Sequence, residues 1–278
     1  MSIAPTLVLN AIAATLVLAL SALGLAIIFG MMGVINLAHG AFIAMGAYIA
    51  WLATNAGTFW LGLLAAPLVV GAFGYVLETT LVGRLYDRPL DTILATWGVA
   101  LAVQEALKLA FGVTTKNVPH PIGGSVTLGG VTYPSYRVFL ILVSATLIVA
   151  VFLGLARTDT GIRIRAAIQD GDAASLLGLN EVRLYRLTFA LGAALAGFAG
   201  AAVAPVATVA PDMGVSYLVE SFFAVIVGGT LGGVVLGSAL VAGLANFLSY
   251  LLSPVVASTV VFVAAILVVA IRPEGLRS

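Results

Sequence analysis

The stretch RTDTGIRIRAAIQDGDAASLLGLNEVRLYR, Arg157–Arg186, decides the fold, because it is the one long charged interruption in an otherwise oily chain. Its five Arg and four acids cannot lie in lipid, where one charged side chain costs about 2.5–3.5 kcal/mol or more. The stretch therefore projects into water. Its centre, Asp172-Ala173-Ala174-Ser175-Leu176-Leu177-Gly178, reads as a short helix ended by a glycine and flanked by basic residues. Ala166, Ala167, Ile168, Ala173, Ala174, Leu176 and Leu177 give the region an apolar side of the kind that fits a groove on a partner. A purely basic connector lying on lipid head groups does not account for the interspersed acids Asp170, Asp172 and Glu181. The segment is expected to dock a motor, since the chain carries no energy source of its own.

Outward from that stretch, the composition is that of a membrane protein. Of 278 residues, 62% are hydrophobic and 8% charged, with a mean hydropathy of +1.19, where soluble domains carry roughly 25% charged residues. No Asp, Glu, Lys or Arg occurs before Glu78, so a cleaved signal peptide with a basic start is not expected. A net charge of +1 gives no footprint for nucleic acid, and the absence of cysteine excludes disulfides, thiol catalysis and Cys-ligated metals.

A span needs about 20 apolar residues, and the polar breaks leave candidates near 7–30, 35–54, 59–82, 92–112, 136–156, 187–208, 217–250 and 255–271. The seventh is too long for one crossing. Gly228-Gly229 and Gly232-Gly233 punctuate it, so it is expected to divide into a half-helix, a turn and a full span. The fold class expected is an all-α polytopic membrane protein, a single domain over residues 1–278, with eight or nine membrane elements including broken or re-entrant helices. Arg84, Arg88 and the Arg157–Arg186 stretch belong on the cytoplasmic side by the positive-inside rule. That places the loop at about 113–135 outside, as an ordered connection without a domain of its own.

Small residues recur at every fourth position in Ala193, Gly197 and Ala201, with Ala196, Gly200 and Ala204 alongside, and again in Gly229, Gly233 and Gly237. Such faces let helices approach closely in lipid. They speak for packing and are silent on any solute.

Three residues stand out as candidates for a solute pathway. Gly30 to Gly40 joins two apolar stretches without a charge, and a backbone break at membrane depth is tolerated only against protein or a water-filled cavity. Asn36 and His39 would be hydrogen-bonding groups beside such a break. The same residues also fit a tight cytoplasmic turn in which Asn36 caps the next helix. A metal role for His39 is not expected, as the other histidine, His120, falls in the external loop. Glu220 precedes the glycine-rich break, and an acid in a span is a functional hypothesis by default, although a solvated carboxylate at a helix start is equally compatible. Glu105 and Lys108, three apart, fit a structural ion pair. No phosphate-binding loop, zinc-protease motif or catalytic triad is present, so no catalytic, cofactor or metal residue is assigned.

The Asp172–Gly178 segment resembles the E-A-A-x-x-x-G coupling-helix signature of ATP-binding-cassette (ABC) importer permeases, with Asp172, Ala173, Ala174 and Gly178 in place and Asp for Glu. The Ile and Leu-Pro of the wider signature are not evident. Gly24 to Gly40, including Asn36-Leu37-Ala38-His39-Gly40, Arg88 to Gly98, Leu176 to Asn180, Thr188 to Gly197, Phe222 to Gly233 and Arg272 to Leu276 are similar to the branched-chain amino acid and urea permeases. The Arg88–Gly98 block adds Thr96 to the pathway candidates. Urea members often carry an acid or larger polar residue after His-Gly, where this chain has Ala41.

The resemblance implies a system of five proteins in the bacterial inner membrane. They are a periplasmic solute-binding protein, two different permeases and two ATPases, with ATP and magnesium bound by the ATPases and no cofactor by this chain. The chain is then a permease importing branched-chain amino acids or a small polar solute such as urea, by alternating access. Two rivals are a passive channel for a neutral solute and an ion-coupled secondary transporter, which would need a relay of intramembrane acids.

Overall fold

The computed structural model describes residues 3–271, apart from 34, 87, 129–130, 171–173, 175 and 177. Among the described residues ten helices of five or more residues run in chain order: α1 (Ile3–Met32), α2 (His39–Asn55), α3 (Phe59–Thr80), α4 (Pro89–Phe111), α5 (Ser135–Arg157), α6 (Asp159–Gln169), α7 (Glu181–Val203), α8 (Gly214–Gly228), α9 (Val234–Leu248) and α10 (Pro254–Ile271). Five of them, α1, α3, α4, α5 and α7, are long and apolar enough to cross a membrane, while α8, α9 and the apolar part of α10 are shorter. The chain is an all-α polytopic membrane protein.

Local chemistry explains several boundaries. Pro89 opens α4 with Asp91 in its first turn, and Gly112, at φ 82°, ends it. The Thr158 side chain accepts the Gly161 N–H to cap α6, and Asn180 accepts the Arg183 N–H to cap α7. Capping by such side chains is worth about 1 kcal/mol each.

The centre of the bundle is α1 and α7, each 72% buried over its most apolar window, against 11% for α4 and 22% for α5. Lipid solvates an apolar helix as well as protein does, so close backbone approach has to supply the attraction. The small-residue face of α7 supplies it. A Cβ on Gly200 would overlap the Ile43 carbonyl, one on Gly46 would overlap Gly197, and one on Gly24 would come within 2.7 Å of the Gly192 carbonyl. Helices α1, α2 and α3 thereby close around α7.

Two breaks interrupt the bundle. Gly33, at φ 63°, follows α1, and the chain re-enters the protein before α2 begins at His39. The stretch at 217–250 divides at Gly229, at φ 69°, where the glycines let α8 and α9 fold back on one another; a Cβ on Gly233 would overlap the Gly228 carbonyl. Both pieces have 15 residues, about 22 Å at 1.5 Å rise, so the second is no longer than the first. The expectation of a full span there is not met. Part of α9, Ala239–Gly243, is a π-helix.

The 113–135 connection holds a small hairpin, β1 (Ser125–Leu128) antiparallel to β2 (Val131–Pro134), with Val126 opposite Tyr133. This hairpin packs by the start of α1, where the Tyr133 hydroxyl donates to Asn10 Oδ1 at 2.9 Å. At the other end of α1, α6 lies against Gly30, whose Cβ would sit 3.4 Å from Ile168. The hairpin and the Arg-rich excursion therefore occupy opposite ends of the bundle.

Candidate functional site

The first break builds a polar knot at depth. From Ser21 to Met32 α1 descends about 16 Å at 1.5 Å per residue, and six residues at about 3.3 Å each suffice to climb back. The chain does climb back. The His39 ring Nε2 lies 3.1 Å from the Ser21 carbonyl, to which it donates, and 3.4 Å from Ser21 Oγ. Ser21 Oγ is in turn 3.0 Å from Ser221 Oγ, so α1, α2 and α8 are tied at one level. A Cβ on Gly40 would come within 2.5 Å of the Gly214 carbonyl, which holds the starts of α2 and α8 together.

Asn36 and Thr96 shape the segment leading into this knot. Asn36 Oδ1 accepts the Ala38 N–H at 3.0 Å, closing an Asx turn. It does not cap α2, whose N-cap is Ala38 without a side-chain bond. Thr96 Oγ1 accepts the Leu37 N–H at 3.2 Å and donates to the Ile93 carbonyl at 3.0 Å. Asn36, His39 and Thr96 are all buried. Asn36 Nδ2 and His39 Nδ1 have no hydrogen-bond partner among the described residues.

Glu220 stands elsewhere. Although it adjoins Ser221 in sequence, it turns to a separate cavity of about 360 Å³ toward the hairpin end, lined also by Asn10, Arg137, Ser216, Tyr217 and Asn246. Arg137 donates to Asn10 Oδ1, the same oxygen that takes the Tyr133 hydroxyl. Sequence reasoning misses Asn10, Arg137 and Asn246. A signal was there: Asn10 is the one amide in α1, Asn246 the one in α9, and Arg137 the one charge in α5 before its last residue.

At the Arg-rich end, Ala174 is buried, Leu176 is 88% exposed, and Gly178 sits at φ 80° with open space around its Cα. Asp172 and Ala173 lie outside the described residues. The excursion is braced against the bundle by a buried acid that the sequence did not single out. Glu78, at the end of α3, accepts the Tyr86 hydroxyl, and Arg186 Nε lies 3.4 Å from Glu78 Oε2 as an ion pair without hydrogen-bond alignment. Burial, then the Glu78 hydrogen bond and charge, push the Tyr86 phenol above its ordinary range, so it stays a donor. The expected pair of Glu105 and Lys108 forms, at 2.7 Å.

An all-α membrane bundle with glycine-broken helices around a buried polar knot, and a charged excursion at one end only, has the build of a transport permease. The family described as "Branched-chain amino acid transport system / permease component" matches residues 7–271, and the chain belongs to it. Among curated relatives, the high-affinity branched-chain amino acid transport system permease protein BraD of Pseudomonas aeruginosa is 27% identical over 268 residues, covering 87% of this chain and 85% of that protein. The corresponding protein LivH of Escherichia coli K12 is 27% identical over 270 residues with the same coverage. Among solved structures, PsaBC from Streptococcus pneumoniae in complex with Fab shares the fold at a TM-score of 0.51 and 14% identity, over 92% of this chain and 89% of that one. The protein is a multi-pass inner-membrane permease of ABC-transporter type, a transport subunit.

Proposed function

We propose that this chain imports branched-chain amino acids, or a closely related small polar solute, by alternating access. In this reading it pairs with a second, homologous permease, is driven by two ATPases that bind ATP and magnesium, and receives solute from a periplasmic binding protein. The observation that carries the reading is the family match over nearly the whole chain, from the first helix to the last and across the charged excursion.

In this scheme Asp172, Ala173, Ala174 and Gly178 sit in the ATPase groove. A push there travels through α6, which bears on the end of α1 at Gly30, to the break at Asn36 and His39. Thr96 and Glu220 complete the pathway. A drive of this kind works only if the nucleotide states hold the excursion in different contacts.

The test is reconstitution of the chain with the permease and ATPases of its operon in vesicles containing ATP, with the binding protein outside. ATP-dependent uptake of labelled leucine is expected. Urea flux that persists without ATP would favour a passive channel and overturn the proposal. Gly178→Trp tests the docking role separately: it should insert normally and lose leucine uptake, and undiminished uptake in that variant would remove the role.

A further inference from the structure

The cavity at the hairpin end contains an arrangement that the family assignment leaves unexplained. Arg137 and Glu220 both line it, both belong to membrane helices, and among the described residues neither is in an ion pair. Unpaired charges in a span are expensive and normally find a partner. Here the guanidinium is held along one edge by Asn10, itself fixed by the Tyr133 hydroxyl. The Tyr133 hydroxyl also lies within reach of the guanidinium, and among the described residues neither its remaining N–H groups nor the Glu220 carboxylate has a further hydrogen-bond partner.

A ligand carrying both charges answers both. The planar guanidinium matches a carboxylate with two parallel bonds, and a carboxylate accepts an ammonium. Val17, Leu140 and Val203 add apolar surface to the same lining, which suits an aliphatic side chain. At about 360 Å³ the space lies at the small end of ligand pockets, which run about 300–1,000 Å³. The remaining wall comes from α9, where Ala242 belongs to the π-helical segment Ala239–Gly243 and Asn246 follows it. Such π-segments are frequent at functional sites.

We infer that this cavity is a zwitterion site, in which Arg137 takes the α-carboxylate and Glu220 the α-ammonium of an aliphatic amino acid. The inference rests on the proposed import function and deepens it: the site admits an amino acid and leaves urea, which has no net charge to offer either residue, without an anchor. Its position at the end opposite the Arg-rich excursion makes it the first station a solute meets on entering from outside.

The experiment uses the full-length chain with its partner permease and ATPases in nanodiscs, without the binding protein. Saturation-transfer NMR follows leucine, 4-methylpentanoate, 3-methylbutylamine and urea. Leucine should receive saturation and urea should not. Glu220→Gln should weaken leucine about tenfold, the loss of roughly one charge-assisted bond, while sparing 4-methylpentanoate. Arg137→Gln should do the mirror image, sparing 3-methylbutylamine, and Arg137→Lys should recover most of the leucine signal. A merely structural role for either residue would depress both single-charge analogues together, and that result overturns the inference. So does leucine binding unchanged in both Gln variants, or urea bound as well as leucine. Leucine uptake by the unaltered transporter is measured in parallel. If uptake occurs without the crossed pattern, the site falls and the import function stands; if the crossed pattern appears without uptake, the site stands and the import function falls.

Discussion

Ser221 and Glu220 are chain neighbours on α8, yet they serve two regions built on opposite principles. Ser221 turns into the knot with Ser21 and His39, where burial is complete and the polar groups bond mainly to one another. Glu220 turns into the open cavity with Arg137, where the charges face space and find no mate among the described residues. Inside a membrane a closed polar cluster holds helices in register, because its groups have no alternative partner. An unsatisfied pair of charges holds nothing. The difference separates structure from function on one helix turn: substitutions in the knot should be felt as stability, and substitutions in the cavity as transport.

The largest stability effect should come from the packing that surrounds the knot. In Gly200→Leu the new side chain would be driven into the Ile43 carbonyl, which belongs to a backbone that cannot swing away. Overpacking costs about 1–3 kcal/mol where side chains can yield, and more where they cannot. The variant should yield almost no monodisperse protein in fluorescence-detected size exclusion. A well-behaved Gly200→Leu would mean that the α2–α7 contact is not what holds the knot shut.

Next comes His39→Leu, which keeps most of the volume but leaves Ser21 Oγ with Ser221 alone and the second lone pair of the Ser21 carbonyl without a donor in the core. Leaving buried polar groups unpaired costs about 1–3 kcal/mol, and the thermal midpoint should fall by several degrees. Ser221→Ala removes a single neutral bond at 3.0 Å, worth about 0.5–1.5 kcal/mol, and leucine uptake should stay within about twofold. If Ser221→Ala instead abolished uptake at unchanged stability, the knot would line the pathway rather than only shape it, and the contrast would fail.

Much of this architecture is written locally and can be read from the chain. The spans, the glycine-punctuated division at Gly229, the close-packing face of α7 and the water-exposed excursion each follow from composition within a few turns. The convergence of polar groups does not. Ser21 and Ser221 are 200 residues apart, and Asn10 and Arg137 are 127 apart; only the way α7 gathers its neighbours brings them together. That is why Asn36 and His39 are legible as residues of a broken helix and Thr96 only through the family resemblance, while Glu220, proposed for the same pathway, is placed in another chamber by the turn of α8. Glu78 is a plainer miss. As the first charge in the chain, at the end of a span, it invites a partner, but Tyr86 and Arg186 reach it from two other elements. The hairpin is legible in the sequence, since Gly129-Gly130 between the alternating Val126, Leu128 and Val131, Tyr133 is a hairpin signal, one that an ordered connection over 113–135 does not by itself imply.

The smallest stability effect is expected at Glu220, and it sharpens the contrast most. Glu220→Gln keeps the shape and removes a charge that has no ion-pair or hydrogen-bond partner among the described residues, so no bond is broken and the desolvation of an anion is relieved. Stability should change by no more than about 0.5 kcal/mol, as at sites without specific contacts, and upward if it changes at all. Arg137→Gln differs because Asn10 Oδ1 would lose its charged donor, so a modest loss is expected there. Thermal shift of the two variants side by side separates them: Glu220→Gln level with the parent, Arg137→Gln below it. A large destabilisation in Glu220→Gln would show the carboxylate already bound to the protein, and the cavity would then be a second structural knot with no vacancy for a solute.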